Sequence, residues 1–240
     1  MRIAFALVGL LVATPVLAKD LIVRQRSATG LAGTTPREET VYLAGTKVVT
    51  DSPAMRTIVD LDARTITAID KTKRIYTVTT FDELKAQMEA VRAAMERMPP
   101  EARARMGWLL DEGPPVTLKP TGKTDTIAGY PAKEYAIAGG PYGGAVWTTD
   151  AIPTPPEFQR WKTIEQSSGV AQGPGRRLGE AMSTLSGFPL RSRIEAKTGP
   201  QSQSFVVSTE VLEVKDGSAP KEMVEVPSGF TRRQPPPPNR

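Results

Sequence analysis

Four of the eight methionines, Met88, Met95, Met98 and Met106, are crowded into one short stretch, and what they offer is soft, adaptable apolar contact. Reactive chemistry is scarce around them. The sequence holds neither histidine nor cysteine, which removes the commonest general base, the commonest transition-metal ligand and the thiol nucleophile together. A Ser-His-Asp triad cannot be built, and Ser228 in Pro227-Ser228-Gly229 lacks the Gly-x-Ser-x-Gly elbow. Asp60 and Asp62 stand two apart in a strand-like stretch, so they share a face and could serve acid–base work or a hard cation. Their place before a turn favours another use: Asp62 hydrogen-bonding the backbone ahead of it, with Asp70 in the same role at the next turn. The segment Gly173-Pro174-Gly175-Arg176-Arg177-Leu178-Gly179 has glycines and cations suited to an anion, yet Leu178 stands where a dinucleotide loop needs its third glycine. It reads as a surface loop. No catalytic residue, metal ligand or cofactor emerges, and the chain is expected not to be an enzyme.

The elements that would position the methionines are legible from spacing. Thr80-Phe81-Asp82-Glu83 has the form in which Thr and Glu side chains cap each other's free N–H groups, so a helix starts there. Phe81, Leu84, Met88, Val91, Met95 and Met98 follow in steps of three and four, one continuous apolar stripe, until Pro99-Pro100 ends the helix. A second helical piece is expected over 101–111, carrying Met106 and Trp108. Another is expected from Thr154-Pro155-Pro156-Glu157, burying Phe158, Trp161 and Ile164. Leu178, Ala181, Met182 and Leu185 fit a short helix face after the Gly-rich break at 169–175.

Strands dominate the remainder. Met55, Thr57, Val59 and Leu61 line one face, Asp62-Ala63-Arg64 turns the chain into 65–70, and Asp70-Lys71-Thr72-Lys73 turns it again into 74–80. Turns this short require antiparallel neighbours, because a parallel connection needs a crossover of about a dozen residues or more. Further strands are expected at 116–118, 132–137 and 145–149, the last two forming a hairpin about Gly139-Gly140-Pro141-Tyr142-Gly143-Gly144. After 186 comes a strand with Leu190 and Ile194 inward and Arg191, Arg193 and Glu195 outward, then a last long strand over 204–214.

Residues 1–18 read as a secretory signal peptide: Met1-Arg2, an apolar run from Ile3 to Val12, and small residues at Val16 and Ala18. The run is half the length a spanning helix needs, so the mature chain is expected to be exported and not membrane-spanning. Its first residue would be Lys19 rather than the cysteine a lipid anchor requires. The formal net charge of +5 is spread among interleaved acidic residues, with no basic run to track nucleic acid. Trp108, Trp147 and Trp161 are too scattered for a base-stacking platform and read as core anchors.

The stretch from Gly122 to Tyr135, Gly-Lys-Thr-Asp-Thr-Ile-Ala-Gly-Tyr-Pro-Ala-Lys-Glu-Tyr, resembles a family of secreted bacterial proteins known only as a domain of unknown function. The segment from Ile58 to Val78 with the helix after it resembles that family's opening meander, and Val226-Pro227-Ser228-Gly229-Phe230 resembles its closing segment. The family is similar to the LolA and LolB lipoprotein carriers. The resemblance implies an α+β fold: a curved, incompletely closed antiparallel sheet, a half-barrel, wrapped around one long helix and shorter helices, with an apolar hollow between. It implies no catalytic residue. The family's cysteine near the position of Ala132 is absent here, which speaks against a redox role.

These readings divide the chain into the signal peptide at 1–18, one domain at 19–233 and a disordered proline-rich tail at 234–240. The expected function is a periplasmic binding or carrier protein whose cavity takes a lipid, acyl chain or lipidated segment. Phe81, Leu84, Met88, Val91, Met95 and Trp147 are the candidate walls. The alternative is an envelope interaction or structural protein, partnered by another envelope protein, with its core filled by its own side chains.

Overall fold

The computed structural model describes residues 20–31, 34–102, 114–153, 174–198 and 203–234. The leader expected at 1–18, all but Gln234 of the tail expected at 234–240, Met106, Trp108 and the helix expected from Thr154 lie outside the described residues. Among the described residues twelve strands form a single sheet. In chain order they are β1 (Leu21–Leu31), β2 (Arg37–Ala44), β3 (Lys47–Asp51), β4 (Met55–Asp60), β5 (Thr65–Asp70) and β6 (Ile75–Thr80), then β7 (Thr117–Ile127), β8 (Tyr130–Gly139), β9 (Tyr142–Thr149), β10 (Phe188–Thr198), β11 (Gln203–Asp216) and β12 (Thr231–Arg232). Helix α1 (Phe81–Glu96) follows β6, and α2 (Pro174–Ser183) precedes β10.

Across the sheet the order is β12-β6-β5-β4-β3-β2-β1-β11-β10-β9-β8-β7. Every pairing is antiparallel except β12 on β6. Two meanders, β1 to β6 and β7 to β11, therefore meet at one seam, where Leu21 to Leu31 of β1 run against Asp216 to Phe205 of β11. The turns follow from local chemistry. Ile127 faces Tyr130 across Ala128 and Gly129, both at positive φ (51° and 84°), which is the two-residue turn whose twist matches that of paired strands. This is the centre of the Gly122–Tyr135 motif, and only its second position carries the glycine that such backbone favours.

The central core joins the two meanders. Leu21 and Val23 of β1, Leu43 of β2, Val59 of β4, Leu61 just after it, and Phe81 of α1 pack in one buried cluster with Ile127, Ala132, Leu190 and Val211 from the other half. A flat sheet could not bring β4 and β7 to one cluster, since eight strand spacings separate them. The sheet must curl, as the family resemblance implied. A second cluster joins Ile137, Val146 and Leu185 with Leu178 and Met182 of α2, the face expected for that helix.

The β3–β5 region is covered on both sides. Val48 and Val59 belong to the central core, while their chain neighbours Val49 and Ile58, pointing to the opposite face, form a separate cluster with Ile69. What covers this second face is the C-terminal strap, residues 217–233, whose Val224, Val226 and Phe230 pack against it along with Tyr42 and Tyr76. The strap leaves β11 and reaches β6 six strand positions away, roughly 29 Å at the spacing of paired strands. Residues 217–230 can extend to about 46 Å, so the crossing is made without strain. The sequence pattern suggested strands with one buried face; strap coverage is why these have two.

Candidate functional site

The apolar stripe of α1 starts from a tightly built end. The Thr80 hydroxyl accepts from the Glu83 amide at 3.0 Å and the Glu83 carboxylate accepts from the Thr80 amide at 2.7 Å, the reciprocal cap expected from the sequence. The hydrogen bond from the Thr80 backbone holds the Glu83 carboxyl below the usual carboxylate range. Behind this cap, the Phe81 amide donates to the carbonyl of Arg64 at 3.0 Å, and the Arg64 guanidinium lies 5.4 Å from the Phe81 ring centroid. The helix closes where Arg97 and Met98 donate to Ala94 and Met95, just before the two prolines.

Burial along the stripe is uneven. Phe81 is 3% exposed and Met95 is 5% exposed, Leu84 and Met88 are half-buried, and Val91, between Met88 and Met95, is 45% exposed. Charged side chains take the outer face, where Arg92 pairs with Glu96 at 3.3 Å. Trp147, on β9, packs against the same central cluster that contains Phe81. The six candidate wall residues thus divide: Phe81 and Trp147 share a core from opposite halves of the sheet, and Leu84, Met88, Val91 and Met95 extend from it along α1.

Trp147 also has a polar neighbour that the sequence placed elsewhere. Arg191 faces Trp147 across β9–β10 and Glu210 across β10–β11, and its guanidinium lies 5.9 Å from the indole centroid. It pairs with Glu210 at 2.9 Å and Asp125 at 2.8 Å. The Asp125 carboxyl is held low, first by the Arg191 hydrogen bond and then by the Thr126 amide. A register shift between Pro189 and Arg191 puts Leu190 in the central core and Ile194 in the α2 cluster. The expected strand with a single apolar face is interrupted there. Two other exposed apolar residues, Leu31 (60%) and Phe205 (37%), stand directly opposite one another at the end of the β1–β11 seam.

Carboxylates at the strand-to-strand turns hydrogen-bond the backbone, and Asp60 joins them. Asp60 accepts from the backbone ahead, from Asp62 at 3.1 Å and Ala63 at 2.8 Å, and Asp70 accepts from Lys73 at 2.8 Å. Asp60 also lies 3.7 Å from Lys47. Among the described residues no three acidic side chains converge as a metal site. Gly175 to Gly179, read from the sequence as loop, are helical, and Arg176 and Arg177 both pair with Glu180 within α2.

One polar cluster escaped the sequence reading altogether. Arg56 of β4 is 6% exposed. Its Nε donates to Asp51 at 2.7 Å, its Nη1 to the Glu222 carbonyl at 2.6 Å, and its Nη2 lies 2.9 Å from the Met223 sulfur. Lys71 completes the group, 2.7 Å from both the Asp51 carboxylate and the Ser52 carbonyl. Burial works to raise the Asp51 pKa, but the Lys71 and Arg56 hydrogen bonds outweigh it and hold the carboxyl low. Burial, and then the Asp51 charge, push the nearby Tyr42 hydroxyl up. Charged residues at alternate strand positions usually mark solvent; the alternation of Val224 and Val226 about Glu225 was the signal that a segment with one apolar face covers this side of the sheet.

No match is found among curated proteins. Solved structures give distant likenesses. An uncharacterised conserved protein from Thermus thermophilus is 6% identical with a TM-score of 0.46, over 91% of this chain and 92% of that one. The Pseudomonas aeruginosa MucA/MucB complex is 11% identical with a TM-score of 0.31, over 85% and 54%. A LolA superfamily protein from Nitrosomonas europaea is 9% identical with a TM-score of 0.27, over 88% and 91%. The family described as a domain of unknown function, DUF4412, matches residues 36–230, a span holding the meander, the Gly122–Tyr135 hairpin and the Val226–Phe230 segment of the strap, and the chain belongs to that family.

Proposed function

We propose that this protein is an exported binding or carrier-type protein of the bacterial envelope that holds an apolar ligand along α1. The ligand class is a lipid, an acyl chain or a lipidated segment. The observation that carries the reading is the uneven stripe: Phe81 and Met95 are buried, while Val91 between them is 45% exposed. An apolar stripe that is continuous with the core and loses its cover partway is a surface on which a chain of methylenes gains contact, at about 0.8 kcal/mol for each one removed from water. Leu84 and Met88 flank the opening, and the methionine adapts its shape to varied ligands. Export is supported by the order of charge, apolar run and small residues in 1–18.

A second reading rests on a different observation. The space between the two meanders is occupied by the protein's own side chains, from Leu21 through Phe81 to Val211, as an envelope interaction protein without a small ligand would have it. Native mass spectrometry of protein purified from its own compartment, followed by organic extraction and lipid analysis, separates the two. A stoichiometric apolar ligand supports the carrier. Empty protein that also ignores a fluorescent fatty-acid probe sinks it. Val91→Asp should abolish probe binding while leaving the thermal midpoint within about 1 °C, because an exposed position tolerates charge.

A further inference from the structure

The groove on the outer face of β3 to β6 is built to grip a backbone. Arg56 and Lys47 reach from the sheet to main-chain carbonyls of the strap, Arg56 to Glu222 at 2.6 Å and Lys47 to Val224 at 3.2 Å. Val224, Val226 and Phe230 fill the apolar part between Tyr42, Ile58 and Tyr76. Arg74 lies 5.8 Å from the Phe230 ring. Beyond it the amides of Thr231 and Arg233 donate to the carbonyls of Arg74 and Tyr76 at 3.0 and 2.7 Å, making the parallel β12–β6 ladder. In that series the next donor would be residue 235, a proline with no N–H, so the strap itself ends the ladder. These are the contacts of an extended peptide in a peptide-binding groove: strand addition for register, side-chain pockets for identity.

The groove is also separable from the rest of the fold. Its apolar cluster shares no buried residue with the central core, and the strap joins the sheet through the short connection Gly217-Ser218-Ala219-Pro220 alone. We propose that the strap is an exchangeable segment, and that residues 221–233 of a second copy can occupy this groove in trans. The second copy is the occupant because its strap is the one sequence already seen to fit. A swapped strap makes the same contacts as the strap in cis, so exchange costs little beyond association. The opposite edge offers no such acceptor: β7 carries Pro120 and a register shift between Pro120 and Thr124, devices that discourage strand addition.

Two single-cysteine variants test this in a chain that has no cysteine of its own. Ile75 and Thr231 are register partners, close enough for a disulfide. Full-length Ile75→Cys and Thr231→Cys chains, differing in an affinity tag, are mixed reduced and then oxidised over a range of concentrations. Exchange predicts a 75–231 linked heterodimer in severalfold excess over the 75–75 and 231–231 homodimers, rising with concentration. Heterodimer at or below the statistical proportion overturns the proposal. Should either variant misfold, Tyr76→Cys with Arg232→Cys, the next register pair, reads the same outcome.

Discussion

Two turns ten residues apart use the same device for different ends. Asp60 and Asp70 each cap the turn that follows, and Arg64 and Arg74 each close it at positive φ, 55° and 54°. Each arginine then offers its carbonyl to an incoming amide, Phe81 in one case and Thr231 in the other. Each guanidinium also lies over a phenylalanine, Phe81 at 5.4 Å and Phe230 at 5.8 Å. The difference is what the phenylalanine belongs to. Phe81 is part of the central core and opens a helix; Phe230 is half-buried in a strap on the far face. One local arrangement serves both a permanent joint and a detachable one, and the depth of the core behind it decides which.

The comparison is broken most severely at Phe81. Phe81→Ala should cost about 3–5 kcal/mol, the range for large-to-small changes in a core, read as a drop in the urea midpoint of the whole protein. Phe230→Ala should cost less than half of that and act locally, raising hydrogen exchange in 221–233 while the amides of β1 and β11 keep their protection. Next comes Arg56→Ala, which takes from Asp51 one of its two cations and from the Glu222 carbonyl its donor while Lys71 still pairs with Asp51, and should cost about 1–3 kcal/mol. Arg56→Met would show whether the ion pair or only the packing holds the strap.

Acid should separate the two turns more gently. The folded Asp51 carboxyl titrates below its unfolded counterpart, so its contribution is present above the ordinary carboxylate value near ~3.9 and is lost as pH falls through the lower folded value. Below about pH 4 the strap should therefore loosen first, seen as faster exchange in 221–233 after correction for intrinsic rates. Asp51→Asn should remove that pH dependence. The smallest effect is expected at the arginines themselves. Gly at 64 or 74 relieves a backbone cost of about 1 kcal/mol and loses a cation–π contact of similar size, so Arg64→Gly and Arg74→Gly should shift stability by no more than about 0.5 kcal/mol. Arg74→Val, β-branched at positive φ, should be clearly worse.

What the sequence made legible was whatever is encoded locally. Thr80 and Glu83 announce the start of α1 because a cap needs only residues three apart. Asp70 and Gly129 announce turns for the same reason. The seam between β1 and β11, the bulge at Pro189–Arg191 and the strap over Ile58 are agreements between distant segments, and alternation within one strand carries no sign of them. Arg56 is the sharpest case. In sequence it is a charged residue between Met55 and Thr57, the outward position of a half-buried strand; it is buried because residues 222 and 223 arrive from the other end of the chain. For the wall candidates, spacing placed the stripe on one helix face, while the exposure of Val91 and the partnership of Trp147 with Arg191 depend on tertiary position.

The seam has a consequence for how the molecule comes into being. Residues 21–31 are synthesised before the other described strands, but their partner on one side, 203–216, follows every other described strand except β12. Hairpins from β2 to β6 can zip as soon as each turn exists, whereas the loop closed by β1 and β11 spans nearly the whole chain and carries the slow kinetics of distant pairing. Until that closure the protein is two unjoined half-sheets with their apolar faces open to solvent. A chain that stops before about residue 203 would keep the turns from β2 to β6 and from β7 to β9 and lack the strand that joins the two half-sheets.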